Sequence, residues 1–188
     1  VAQTMWYRDD VYYSVPWRGL FATEGGGTTM SHTIHQIDLL AYLFGEWDAV
    51  SAHMWRLARN IETEDTVTGV IRFRNGAVAT VIGTVLSARQ VTALRIDTSK
   101  ATVELEHLYG HSHKHWRITA AEGVPSDESW AWPEVERPSG HEDYLRQVYA
   151  AFAADRPLPA VASAPSRAME IVTAMYASAR EGGEEVSW

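Results

Sequence analysis

Residues 24–38 read EGGGTTMSHTIHQID, placing three glycines ahead of two imidazoles and a carboxylate. His35 and Asp38 stand three apart, neighbours on a helix surface. A carboxylate in that place orients an imidazole and raises its pKa, which suits His35 to general acid/base work. The same spacing also describes ordinary polar residues on an amphipathic helix. Gly25-Gly26-Gly27 ahead of a helix can offer backbone N–H groups to an anion. The triplet is neither G-x-G-x-x-G nor a phosphate-loop pattern, and neither pattern occurs in the chain. A tight turn or a close backbone approach at Gly26 and Gly27 is the expectation.

Three further groups have chemical potential. Tyr12, Tyr13, Trp17 and Arg18 precede the glycines and can line a polyhydroxyl pocket, or serve as core and rim. His111, His113 and His115, with His107 nearby, would share one face of a strand and can hold a transition metal. Lys114 among them and the lack of a fourth ligand favour an exposed polar segment, so no metal is expected. Glu62, Thr63, Glu64 and Asp65 form an acidic run that reads as a solvated turn before a strand.

Positioning these residues requires a particular order of elements. Residues 2–13 have strand composition. Residues 31–44 have apolar side chains at Ile34, Ile37, Leu40, Ala41 and Phe44, which predicts an amphipathic helix ended by Gly45. On it Ser31, His35, Asp38 and Tyr42 fall within about 60° of one another and make one polar edge. Strands follow at 50–57, 66–73, 77–85, 91–97, 102–106 and 115–120, with Asn75-Gly76 as the hairpin signal. Residues 122–138 read as a loop in which Trp130 and Trp132 cover apolar surface. Helices are expected at 141–154 and from a Ser163 cap, with Pro165 near the start, to about 179. This segregation predicts an α+β fold: an open, mainly antiparallel sheet of about six to eight strands with helices on one face.

The chain has 188 residues, a formal net charge of −8, and no cysteine. That length supports one domain, spanning 1–188. The acidic balance and lack of a basic stripe argue against nucleic acid, and no apolar run spans a bilayer. Disulfide frameworks and thiol nucleophiles are excluded, and a cytoplasmic protein is expected. The opening VAQTMWYRDD lacks the signature of a signal peptide and starts like the middle of a strand, so a part of a longer protein is expected.

Several stretches, taken in order, resemble the C-terminal domain of the Gfo/Idh/MocA oxidoreductases. They are PWRGLFATEGGGTTMSHTIHQIDLLAYLFGE, IETEDTVTGVIRFRNGAVATV, LRIDTSKATVEL and the closing HEDYLRQVYAAFAADRPLPAVASAPSRAMEIVTAMYASAREGGEEV. The resemblance implies hydride transfer between NAD or NADP and a sugar, inositol or related polyol. It implies an N-terminal Rossmann domain that binds the dinucleotide, so these 188 residues alone are expected to bind no cofactor and to be inactive. It further implies a homodimer or homotetramer formed through the sheet. By position, His35 matches the family's active-site histidine and Asp38 the aspartate that helps hold substrate. Ser31 stands where many members have aspartate and cannot ionise near neutral pH. His32, Tyr13, Trp17 and Arg18 belong to the segment that approaches the substrate. That serine keeps open a second expectation, a non-catalytic carbohydrate-binding or oligomerisation module, or a pseudo-enzyme.

Overall fold

Apolar residues at helical spacing bury one side of α3 (Ile34–Phe44), where Ile37, Leu40 and Ala41 are inaccessible. The computed structural model describes residues 1–125, 130–131, 134–136, 139–159 and 166–188. The expectations for Trp132 and for the Ser163 cap with Pro165 lie outside the described residues; Trp130 is half-buried. The helix does not begin at Ser31 as its periodicity predicts. Thr29–Thr33 wind as a π-helical turn, a wider geometry that buries Thr29, His32 and Thr33. Gln36 is fully buried on α3. Its side-chain amide donates to the Gln3 carbonyl and to Thr4 Oγ1 (2.9 Å), tying the helix to β1 (Ala2–Tyr7).

β1 is shorter than its composition predicts. Asp9 accepts a hydrogen bond from the Tyr12 N–H (2.9 Å), so Asp10–Tyr13 form a helical turn, α1, and Tyr12 and Tyr13 leave the strand. A second turn, α2 (Phe21–Glu24), ends at Gly25, whose φ of 73° is the left-handed conformation glycine adopts freely.

The chain divides into two compact units. The first contains β2 (Trp47–Trp55), β3 (Thr66–Phe73), β4 (Val78–Thr84), most of β5 (Leu86–Asp97), α5 (Ser166–Arg180) and β8 (Val186–Ser187). Its strand order is β5-β1-β4-β3-β2-β8. The Asn75-Gly76 hairpin joins β3 and β4, with Val67 opposite Gly83 and Ile71 opposite Ala79. β1 inserts between β4 and β5, parallel to β4, so the open sheet is mixed although mainly antiparallel. Alternation along β3 buries Val67, Ile71 and Phe73, and Ile37 and Leu40 of α3 and Ile171 and Met175 of α5 are buried as well. Each fully buried side chain of this size contributes about 1.5–3 kcal/mol. Ser178 of α5 accepts from the Ala52 N–H (2.9 Å), locking that helix to β2. The other face of β3 and β4 presents Thr68, Val70, Arg72, Val78 and Thr80.

The second unit holds the end of β5, β6 (Ala101–Glu106), β7 (Trp116–Ala120) and α4 (Glu142–Ala153). β6 and β7 pair antiparallel with Val103 opposite Ile118. His113–His115 form a 3-10 turn rather than the start of a strand. The three imidazoles therefore do not share a strand face, and the described residues contain no group of three metal-ligating side chains. α4 leaves Tyr144, Leu145, Tyr149 and Phe152 exposed. No helix among the described residues is long and apolar enough to cross a membrane.

Candidate functional site

The acidic run 62–65 is not a solvated turn. Thr63, Glu64 and Asp65 are 1%, 6% and 0% exposed. Asp65 accepts from the N–H groups of Leu57, Ala58 and Arg59 at 2.8–3.0 Å. Burial alone raises its pKa. The hydrogen bonds from Ala58, Arg59, Leu57 and Thr66 outweigh that and hold it below the usual range.

Glu64 clamps the glycine triplet. Its carboxylate accepts from the Gly27 N–H (3.0 Å), the Thr29 N–H (2.9 Å) and the Tyr176 hydroxyl (2.8 Å). Its carbonyl accepts from the Thr28 N–H (3.1 Å). Tyr176 Oη also accepts from Gly27 N–H (3.1 Å), and burial, then Glu64, drives the phenol's pKa upward. A Cβ at Gly27 would collide with the Glu64 backbone, and one at Gly26 with Tyr176. The close approach is made by the chain's own groups. The N–H groups of Gly25, Gly27, Thr28 and Thr29 are spent on the chain's own acceptors, so the segment is a poor fit to a dinucleotide pyrophosphate.

Held against that clamp, the π-turn presents Ser31 and His32. Ser31 has one hydroxyl proton, and its Oγ lies 2.7 Å from the Gly27 carbonyl and 2.6 Å from His32 Nδ1. A carbonyl only accepts, so Ser31 donates to Gly27 and His32 Nδ1–H donates to Ser31. That tautomer leaves Nε2 with a free lone pair. Burial, then the charges of Arg8, Arg18 and His35, lowers the His32 pKa to about 4, so the ring is neutral at neutral pH.

Around His32 stands a shelf of rings and cations. Trp6, at the end of β1, meets the imidazole edge-on at 4.9 Å, and Tyr12 lies 6.1 Å away. The Arg8 guanidinium sits over Trp6 (4.8 Å) and Tyr12 (5.2 Å). The Arg18 guanidinium sits over Tyr12 (3.8 Å) and Trp17 (4.3 Å) and donates to Tyr12 Oη. Glu24 lies 3.8 Å from Arg18 and also accepts from the Gly19 N–H. Tyr13 packs edge-on against Tyr12 (5.0 Å), and burial, then Tyr12 and Glu24, pushes its pKa up to about 12.

The structure thus gathers Tyr13, Trp17, Arg18, Ser31 and His32 around Tyr12. His35 and Asp38 are exposed on the outer edge of α3 with Ser31 and Tyr42. Sequence reasoning missed Trp6, Arg8, Glu24 and Glu64. The spacing Trp6-x-Arg8-x-x-x-Tyr12 was the available signal for the shelf; Glu64 had none, because its partners lie 35 to 112 residues away.

Residues 1–104 match the family model of the GFO/IDH/MocA C-terminal domain. Among curated protein sequences none matches. The WlbA dehydrogenase of Bordetella pertussis, solved with NADH and UDP-GlcNAcA, superposes with a TM-score of 0.79 at 27% identity. It is covered over 54% of its length by 100% of this chain. The WlbA dehydrogenase of Chromobacterium violaceum, solved with the same two ligands, gives 0.72 and 25%, over 53% of its length and 100% of this chain. The aldose–aldose oxidoreductase of Caulobacter crescentus, complexed with glycerol, shares the fold at 0.73 and 21%, over 54% of its length and 100% of this chain. The chain spans about half the length of these proteins.

Proposed function

Because the chain belongs to the GFO/IDH/MocA family through its C-terminal domain, we propose that it is the substrate-binding and oligomerising part of an oxidoreductase acting on CH–OH groups. The substrate is a sugar, inositol or related polyol, and NAD or NADP is bound by a separate dinucleotide-binding domain. The observation that carries this reading is the shelf of Trp6, Tyr12 and Trp17 around the His32 imidazole, with His35 three residues further along the same helical segment. Flat rings cover the C–H faces of a sugar, and cations and imidazoles meet its hydroxyls.

The family reaction moves a hydride between the carbinol carbon and the nicotinamide, and a proton leaves or joins the same hydroxyl. This chain handles the proton. His35 is the acid/base, exposed towards arriving substrate, with Asp38 one turn on to orient it. Ser31, His32, Tyr13, Trp17 and Arg18 hold the substrate. The sheet face bearing Val70 and Val78, 45% and 64% exposed, joins a second copy.

The test joins this chain to a dinucleotide-binding half and replaces His35 by Ala. Turnover should fall by about 10²–10⁴ with dinucleotide affinity unchanged. Undiminished turnover removes His35 from the chemistry. Sugar binding with no turnover, with either dinucleotide, would favour the non-catalytic module that Ser31 suggests. Val70→Arg should convert dimer to monomer in sedimentation.

A further inference from the structure

The two guanidinium groups on the shelf lie against aromatic rings with no hydrogen-bonded carboxylate among the described residues. Arg59, Arg72, Arg74, Arg95, Arg117 and Arg146 each have a carboxylate oxygen within 3.0 Å. Arg8 is half-buried between two rings, with no carboxylate within 4.0 Å among the described residues. Of its five N–H donors, one reaches an acceptor among the described residues, the Tyr7 carbonyl at 2.9 Å. Arg18 has Glu24 at 3.8 Å, beyond hydrogen-bond distance.

Both cations lie over the same Tyr12 ring and bear on the same imidazole. Rings attract each cation but do not neutralise it; Glu24 offsets Arg18 alone, which leaves Arg8 without a counter-charge among the described residues. An anion at the shelf supplies that counter-charge and takes up unused N–H forks, which match a carboxylate or phosphate. His32 complements this, since its neutral ring adds no charge and its Nε2 accepts from a hydroxyl. The ligand that satisfies all these groups has an anionic oxygen cluster on one side and hydroxyls on the other.

We propose that Arg8 and Arg18 are the specificity-determining residues for an anionic sugar, one carrying a carboxylate or a phosphate. This rests on the reading of the domain as a sugar-binding part of an oxidoreductase.

The 188-residue chain is titrated with glucuronate, glucose 6-phosphate and glucose, following the His32 ring protons by NMR. One or both anions should bind about tenfold or more tighter than glucose, as expected of charge-assisted pairing. The stronger of the two identifies carboxylate or phosphate. Arg8→Gln should reduce the preference to about twofold, while Arg8→Lys, which keeps the charge but not the fork, retains part of it. A thermal melt of each variant verifies folding, and Arg18→Gln should give the same loss if Arg8→Gln does not fold. Equal binding of glucose and both anions overturns the anion assignment and leaves the sugar reading standing. A preference that survives Arg8→Gln and Arg18→Gln also overturns it. If none of the three binds, the anion assignment falls, and the wider reading is judged by turnover of the joined enzyme.

Discussion

Two charged pairs on the loops of the first unit have opposite fates. The carboxylates of Glu64 and Asp65 are buried and spent on backbone N–H groups of Gly27, Thr29, Leu57, Ala58 and Arg59. The guanidinium groups of Arg8 and Arg18 lie on aromatic rings with donors to spare. The acids answer the chain's own needs and so set its shape. Glu24 meets only part of the need of Arg18, and no carboxylate among the described residues meets that of Arg8, so both suit a partner from outside. A charge is assigned to fold or to recognition by the hydrogen bonds left over, not by its sign or its place in a loop.

Breaking the acid pair should have the largest effect. Asp65→Ala strands the N–H groups of Leu57, Ala58 and Arg59 and should cost about 4 kcal/mol in urea unfolding. A loss near zero would mean that water satisfies those donors and that the acids are no different from surface charges. Glu64→Ala should cost about 3 kcal/mol, with Gly27 N–H keeping its Tyr176 acceptor.

The pH dependence of stability tests the joint between the two pairs. Burial, then Arg8 and Arg18, depresses the His32 pKa from 6.5 to about 4. Between these values the unfolded chain binds a proton that the folded chain does not. Stability from this group is therefore full above 6.5, falls as pH drops, and levels off near 4. The change is about 3 kcal/mol. His32→Gln should flatten that slope in a series of unfolding curves at fixed ionic strength; an unchanged slope would place its origin elsewhere.

The smallest effect on stability belongs to the cations. Arg8→Gln should shift unfolding by less than about 1 kcal/mol, since a partly exposed cation on a ring contributes little. A larger loss would make Arg8 a structural residue and erase the contrast with Glu64.

Much of the frame was legible from local pattern. Ile37 and Leu40 at helical spacing, and Asn75-Gly76 between alternating runs, each encode an element within a dozen residues. The shelf was half legible: Tyr13, Trp17 and Arg18 were candidates from their types, but Trp6 and Arg8 were read as strand. Tyr12 and Tyr13 were read as strand too, because aromatic composition favours one; the Asp9 cap decided otherwise. Glu64 and Asp65 were misread because acidic residues next to a turn are usually wet. The parallel pairing of β1 with β4 had no local signal.

By itself the sequence determined the α+β class, the amphipathic phase of α3 and the identity of the groups able to do chemistry. These depend on side-chain type and on spacing along one element. Tertiary structure alone decided that Glu64 clamps the glycines and that His32 is neutral, with Nε2 free. It alone brought Arg8 and Arg18 over one ring. Each of these depends on burial and on partners distant in the chain, which exist only once the backbone has folded.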